Sequence, residues 1–340
     1  MSKETYKPDT ETEQLKAQQL HPIAGDLSDY QASLGDGSKE YRGLVTGFTD
    51  VDNLVSGLDR FILLAGRSGA GKTTLASQLA LGVASHTPVL FYSLEMAKND
   101  IITMFIQTLA KGLYRNDIEL NGNDPELPKD KKDMLAQALK DLEPLAKNIY
   151  IRDATQGIPR IADTKDANSI YNTVESLKQR HNSERVLVVI DSVQDIVPMA
   201  SNQVQAEIQT VQELTEVQQK TGATILVVAQ KNKGSINSVD SYGDIMGSMS
   251  FIHKPTTVLE IITAKELLAK SKDDSDRKAE IERVIESDAK DGKSKPMYLN
   301  VIKGRYTGTS AIPLQYYGAY GYYESGIISK YKSVYDLMNK

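Results

Sequence analysis

The sequence predicts an α/β fold: a mostly parallel central sheet flanked by helices, with antiparallel strands added at the C-terminal edge. Two observations predict it. From Gly47 onward, short apolar runs alternate with longer amphipathic stretches along the 340 residues, the pattern of a parallel sheet covered on both faces. Toward the C-terminus, strand-like runs crowd together, which suits strands paired antiparallel at one edge.

The elements follow in order. Residues 1–40 are polar, carry GDGSKE, and read as a flexible arm or partner-binding tail. The main domain is expected over 41–325. FILLAG (61–66) has the length and apolar character of a buried strand, and 71–85 has helical period. PVLFYSL (88–94), NIYIRD (148–153), RVLVVID (185–191) and ATILVVAQ (223–230) read as further buried strands. Helical stretches at 97–113, 130–146, 166–181 and 203–220 separate them. TTVLEIIT (256–263), MYLNVIKG (297–304), SAIPLQYYG (310–318) and YGYYE (320–324) are the expected antiparallel edge. The tyrosines of QYYGAYGYY read as strand and core residues rather than base-stacking ones. Residues 268–295 are highly charged and read as a solvated insertion, and 326–340 as a tail.

Composition narrows the function classes. With no cysteine and four histidines, disulfides, thiolate zinc sites and cysteine nucleophiles are excluded, and a histidine metal centre is disfavoured. The N-terminal MSKETYKPDTETEQLK is polar and mixed in charge, unlike a signal peptide. No apolar run approaches the roughly 18 residues of a membrane span, so a cytoplasmic location without membrane partners is expected. The formal net charge of −5 argues against coating duplex DNA over a whole surface. It leaves room for a channel in which a few loops touch a strand.

The strongest local signal is LLAGRSGAGKTTLAS (63–77). Gly66, Gly69, Gly71, Lys72 and Thr73 complete G-x-x-x-x-G-K-[ST] between a predicted strand and a predicted helix. Glycines let the backbone curl so that N–H groups face phosphate oxygens, and the helix N-terminus adds its positive dipole end. Gly66, Arg67, Ser68, Gly69, Ala70, Gly71, Lys72, Thr73 and Thr74 are therefore the expected contacts to ATP. Lys72 neutralises the β- and γ-phosphates, and the Thr73 hydroxyl faces Mg²⁺. Asp191 ends an apolar strand and is the expected second Mg²⁺ holder. Glu95 ends the strand after the P-loop helix, where a base for the attacking water is useful. Gln230, at another strand end, is expected to sense the γ-phosphate.

Together these segments resemble the motor domain of DnaB-type replicative helicases, a RecA-like P-loop ATPase. TGFTDVDNLVSGL resembles its opening; AGRSGAGKTTLASQLA, VLFYSLEM, VVIDSVQDI and VVAQKNK follow in the family's order; VIKGRYTGT resembles its closing K-x-R-x-x-x-T-G, one residue shorter. The resemblance covers residues 43 to 324. It implies a Mg²⁺-dependent ATP hydrolase that unwinds or translocates along DNA in replication, as a hexameric ring around single-stranded DNA. It also implies that Lys303 and Arg305 reach the ATP site of the adjacent subunit. Residues i and i+2 of a strand point to one side, so both cations face one phosphate. Lys231, Lys233 and Lys254, in or beside the Gly- and Ser-rich stretch 231–254, are the candidate DNA-phosphate contacts.

The family's extra helical domain before the motor has no counterpart in the 40 residues that precede it here, so replication or recombination partners are expected to use that arm. Ser56-Gly57 stands where the family has a double glycine, and IDSVQ where it commonly has a tyrosine after the aspartate. The latter variant also resembles RadA-type recombination ATPases, an alternative reading. A KaiC-like regulatory ATPase indifferent to DNA is the third.

Overall fold

The computed structural model describes residues 23, 27–32, 34–35, 40–231, 250–263, 266, 294–308 and 311–325. Lys233, the insertion over 268–293 and the tail over 326–340 lie outside them. The chain divides into two units, 1–40 and 41–340. In the first, helix α1 (Leu27–Ala32) buries none of its residues.

The second unit holds everything else. After α2 (Thr49–Val55), the chain runs β1 (Phe61–Gly66), α3 (Lys72–Val83), β2 (Val89–Ser93), α4 (Lys98–Ala110), α5 (Arg115–Glu119), α6 (Lys129–Ala146) and β3 (Ile149–Asp153). It continues through α7 (Ile170–His181), β4 (Leu187–Asp191), α8 (Val193–Ile196), α9 (Gln203–Thr221) and β5 (Thr224–Gln230). The last part holds α10 (Ser250–His253), β6 (Thr257–Thr263), β7 (Lys295–Gly304), β8 (Ala311–Tyr317) and β9 (Tyr322–Glu324). The nine strands form one sheet in the order β3-β2-β4-β5-β1-β6-β7-β8-β9.

One expectation needs correction. TTVLEIIT does not belong to the antiparallel edge: β6 runs parallel to β1, with Ile62 opposite Thr257 and Gly66 opposite Ile261. Its residues Val258–Ile262 are buried like those of the other central strands. The direction reverses only at β7, which pairs antiparallel with β6 and with β8.

Two apolar layers hold the sheet, and strand periodicity divides them. Ile62 and Leu64 of β1 face α3 and α4 through Leu75, Leu79, Ile101 and Phe105. Phe61, Leu63 and Ala65 face α7 and α9 through Ile170, Val174, Val211 and Leu214. The helix borders have local causes. Ser169 Oγ accepts the Asn172 N–H at the start of α7, and Gly222 closes α9 in a left-handed conformation. Among the described residues, no helix is long and apolar enough to cross a membrane.

Gly82 shows how tightly α3 is seated. A Cβ at this position would lie 1.6 Å from the Thr46 carbonyl oxygen, a backbone atom that cannot swing aside. Thr46 is itself fixed, because Asp52 accepts from both its N–H and its hydroxyl at 2.8–3.1 Å. Alanine gains about 1 kcal/mol of helix propensity over glycine, but overpacking outweighs it. Gly82→Ala is expected to lower stability by about 1–3 kcal/mol, read as a shift in the urea midpoint.

Candidate active site

The parallel strands deliver four groups to one end of the sheet. β1 ends at Gly66, and the chain turns through 67–71 into α3. Gly69 and Gly71 have φ of 75° and 77°, a left-handed backbone that glycine adopts at no steric cost. Gly71 faces a second restriction: a Cβ there would lie 2.5 Å from the Tyr323 hydroxyl and 2.9 Å from the Tyr316 ring. Tyr323 is buried, stacks on Tyr316 at 4.6 Å, and donates to the Ala70 carbonyl at 2.5 Å. The phosphate loop therefore rests on a tyrosine wall from β8 and β9. Tyr317 and Tyr322 stack on the opposite face of the same two strands, likewise at 4.6 Å. No local signal announces this wall, since 253 positions separate Ala70 from Tyr323.

Register brings the other groups alongside. Gly66 lies opposite Gln230, and Ser93 opposite Asp191. Gln230 and Glu95 are both exposed at their strand ends. Lys72 extends from the first turn of α3, and its Nζ donates to the Arg67 carbonyl at 3.0 Å. Arg67 pairs with Glu266 at 2.6 Å, a partner that sequence reasoning missed. Asp191 is 4% exposed and accepts a hydrogen bond from the Thr73 side chain. The Asp191–Ser192 peptide is cis.

The electrostatics are those of a site short of counter-charge. Burial pushes the Asp191 carboxyl up to about 6; Glu95 and Asp195 add to the rise, while Thr73 and Lys72 oppose it. Burial also pushes the Lys72 ammonium down, against the pull of Asp191 and Glu95. A triphosphate would favour the charged lysine, and a hard cation the charged aspartate. Thr73 and Asp191 supply the oxygen donors that magnesium takes, so the residues present fit that ion.

Lys303 and Arg305 sit elsewhere. Lys303 Nζ donates to the carbonyls of Ile252, His253 and Pro255 at 2.9, 2.5 and 2.8 Å. Arg305 Nη2 reaches the same His253 carbonyl at 3.2 Å. Burial and the Arg305 charge push the Lys303 ammonium down. The Arg305 N–H bonds the Thr256 carbonyl, and the Thr256 N–H bonds that of Phe61. Arg305 is thus level with the start of β1, whereas the phosphate loop leaves its far end, roughly 17 Å along the strand.

Lys231 corrects a second expectation. It is not free to meet a DNA phosphate: it is 9% exposed and its ammonium pairs with Glu260, which is fully buried on β6. Its N–H bonds the Gly66 carbonyl at 3.1 Å. Gln230 and Lys231 leave the sheet on opposite faces, and on the face taken by Lys231 the Glu260 carboxylate of β6 accepts its ammonium. Lys254 is exposed.

Residues 43–325 match the family described as the DnaB-like helicase C terminal domain. The chain belongs to that family. The Haemophilus influenzae protein named replicative DNA helicase DnaB is 42% identical over 73 residues, 20% of this chain and 16% of that protein's length. Among solved structures, one ATPase domain is similar with a TM-score of 0.71 at 18% identity, over 90% of this chain and 99% of that one. A DnaB-like replicative helicase, solved in a study of its interactions with primase, has a TM-score of 0.68 at 18% identity, over 90% of this chain and 67% of that one. Both likenesses establish the shared fold of the DnaB-like domain.

Two outcomes test this account of the domain. Because Asp191 titrates higher in the folded state than in the unfolded chain, the nucleotide-free protein binds the extra proton when folded. That contribution to stability is present below about pH 4 and is lost as pH rises through about 6. Asp191→Asn should remove this pH dependence without loss of stability at pH 7, as followed by urea titration. Lys231→Met removes one partner of the buried Lys231–Glu260 ion pair and should cost about 3–5 kcal/mol, whereas Lys231→Met with Glu260→Leu should recover most of it.

Proposed function

We propose that this DnaB-like domain is a Mg²⁺-dependent ATP hydrolase that drives translocation on single-stranded DNA and duplex unwinding in replication. One observation carries the reading. The phosphate loop, Glu95 and Asp191 occupy the carboxyl end of the sheet, while Lys303 and Arg305 occupy the amino end. A single copy therefore cannot bring both sets to one nucleotide. A head-to-tail array of copies can, and such heterologous contacts close into rings, here a hexamer.

In this reading the loop over Gly66–Gly71 cradles the phosphates of ATP, Lys72 neutralises them, and Thr74 supports the loop at the start of α3. Thr73 and Asp191 would hold magnesium, which supplies charge neutralisation at the β- and γ-oxygens. Glu95, exposed beside them, takes a proton from the attacking water. Gln230 hydrogen-bonds the γ-phosphate and reports its loss to the segment that follows β5. Arg305 and Lys303 of the next copy stabilise the charge that develops in the transition state, worth roughly 10³- to 10⁵-fold in such enzymes. Lys254, exposed after α10, and Lys233 are the remaining candidates for DNA phosphates. Replication partners, primase among the classes to test, would engage the arm over residues 1–40.

The test is subunit mixing. Lys72→Ala and Arg305→Ala should each lose turnover by roughly 10³-fold or more when alone. Mixed, an Arg305→Ala copy retains Lys72 and receives Arg305 from a Lys72→Ala neighbour. About one interface in four is then complete at equal mixing, and turnover should return to that level. Mixed assemblies of verified mass that stay inactive at every ratio would defeat the reading. Unwinding of a forked duplex by the unaltered chain tests the helicase step directly.

A further inference from the structure

Arg305 is the group that the proposed reaction asks most of, yet its own anchorage is slight. β7 ends at Gly304, so Arg305 has already left the sheet. Its side chain is exposed and, among the described residues, is held by one 3.2 Å bond to a carbonyl. A long side chain tied at one point keeps much of its rotamer freedom. A group that must meet a transferring phosphoryl in a neighbouring copy needs better placement than that.

The next residue supplies it. Tyr306 is 49% exposed, but its ring is gripped. Arg60 Nη1 donates to its hydroxyl at 2.8 Å. The Arg42 guanidinium lies 4.3 Å from the ring centroid and that of Arg60 5.1 Å, both within cation–π range.

The two arginines are in turn fixed by backbone. Arg60 has φ of 57°, a left-handed conformation uncommon for a residue with a side chain, and its carbonyl accepts from Ile225 at 2.7 Å. Such an outlier persists only where its surroundings hold it. The Arg42 N–H bonds the Ser56 hydroxyl at 3.2 Å. Gly43 beside it lies so close to Gly57 that a Cβ would come within 2.4 Å of its backbone. The Arg42 carbonyl accepts from Arg185 at 3.4 Å, and Arg60 and Arg185 both approach Asp59 at 3.8 Å. Two arginines share one carboxylate there, with Arg42 close by, and that surplus positive charge lies at the same end of the molecule as Arg305. A neighbour's nucleotide phosphates would offset it.

We propose that Tyr306, held by Arg42 and Arg60, is a positioning residue that aims Arg305 at the ATP of the adjacent copy. The inference rests on the trans reading above. It assigns Tyr306 to the copy that donates the finger, with no part in the site on its own chain.

That asymmetry makes it testable by the same mixing. Arg305→Ala copies are combined with Lys72→Ala copies that also carry Tyr306→Ala. The recovered turnover should fall roughly 10- to 100-fold below that of the Lys72→Ala partner alone. Placing Tyr306→Ala instead on the Arg305→Ala copy should leave the recovery unchanged. A merely structural role would lower both mixtures alike, and full recovery in both would equally overturn the proposal. Tyr306→Phe keeps the ring but not the Arg60 bond. It should give an intermediate donor defect, and it serves as the variant of record should Tyr306→Ala shift the urea midpoint. If the parent mixture of Lys72→Ala and Arg305→Ala shows no recovery, the trans reading itself fails and the positioning role falls with it. If only the donor arm recovers fully, the trans reading stands and the role of Tyr306 does not.

Discussion

A parallel sheet has two chemically different ends, and everything else in this molecule depends on that polarity. All strand carboxyl ends from β3 through β6 point one way, so the groups that follow them gather without any long-range device. Gly66 meets Gln230, and Ser93 meets Asp191, simply because neighbouring strands keep register. The reversal at β7 then returns the chain to the opposite end, where Lys303 and Arg305 emerge. One sheet thus carries the glycine-rich loop at one end and Lys303 and Arg305 at the other.

The antiparallel extension does more than cover an edge. Through Tyr316 and Tyr323 it forms the wall behind the phosphate loop, and Gln78 of α3 bonds both the N–H and the carbonyl of Tyr323 at 2.8 and 2.9 Å. Movement of β8 and β9 relative to α3 would therefore disturb the glycine-rich loop over 66–71. The buried Lys231–Glu260 pair joins β5 to β6 at the same level, and Lys231 also bonds the last residue of β1. β1, β5 and β6 are thus tied to one another beside the glycine-rich loop by polar contacts that packing alone would not specify.

The electrostatics of the site follow from burial rather than from any exotic arrangement. A carboxylate and an ammonium removed from water both resist charge, and each is only partly relieved by the other. Such a site gains from a bound polyphosphate with its cation, because both deficits close at once. Glu95 stays exposed beside the two and keeps the access that a base for water requires.

Local patterns in the sequence determined the order of strands and helices, the phosphate loop and the strand-end candidates Glu95, Asp191 and Gln230. Each of these is written in a few contiguous residues: an apolar run, a glycine spacing, a polar residue at the end of a run. Tertiary structure decided what depends on residues far apart in the chain. It made β6 parallel, although TTVLEIIT is equally suited to either direction, because direction is chosen by the neighbour and not by the strand. It paired Lys231 with Glu260, set the tyrosine wall against Gly71, and brought Arg42 and Arg60 onto Tyr306. Those pairings are contacts across the fold, and side-chain chemistry at one position carries no address for its partner.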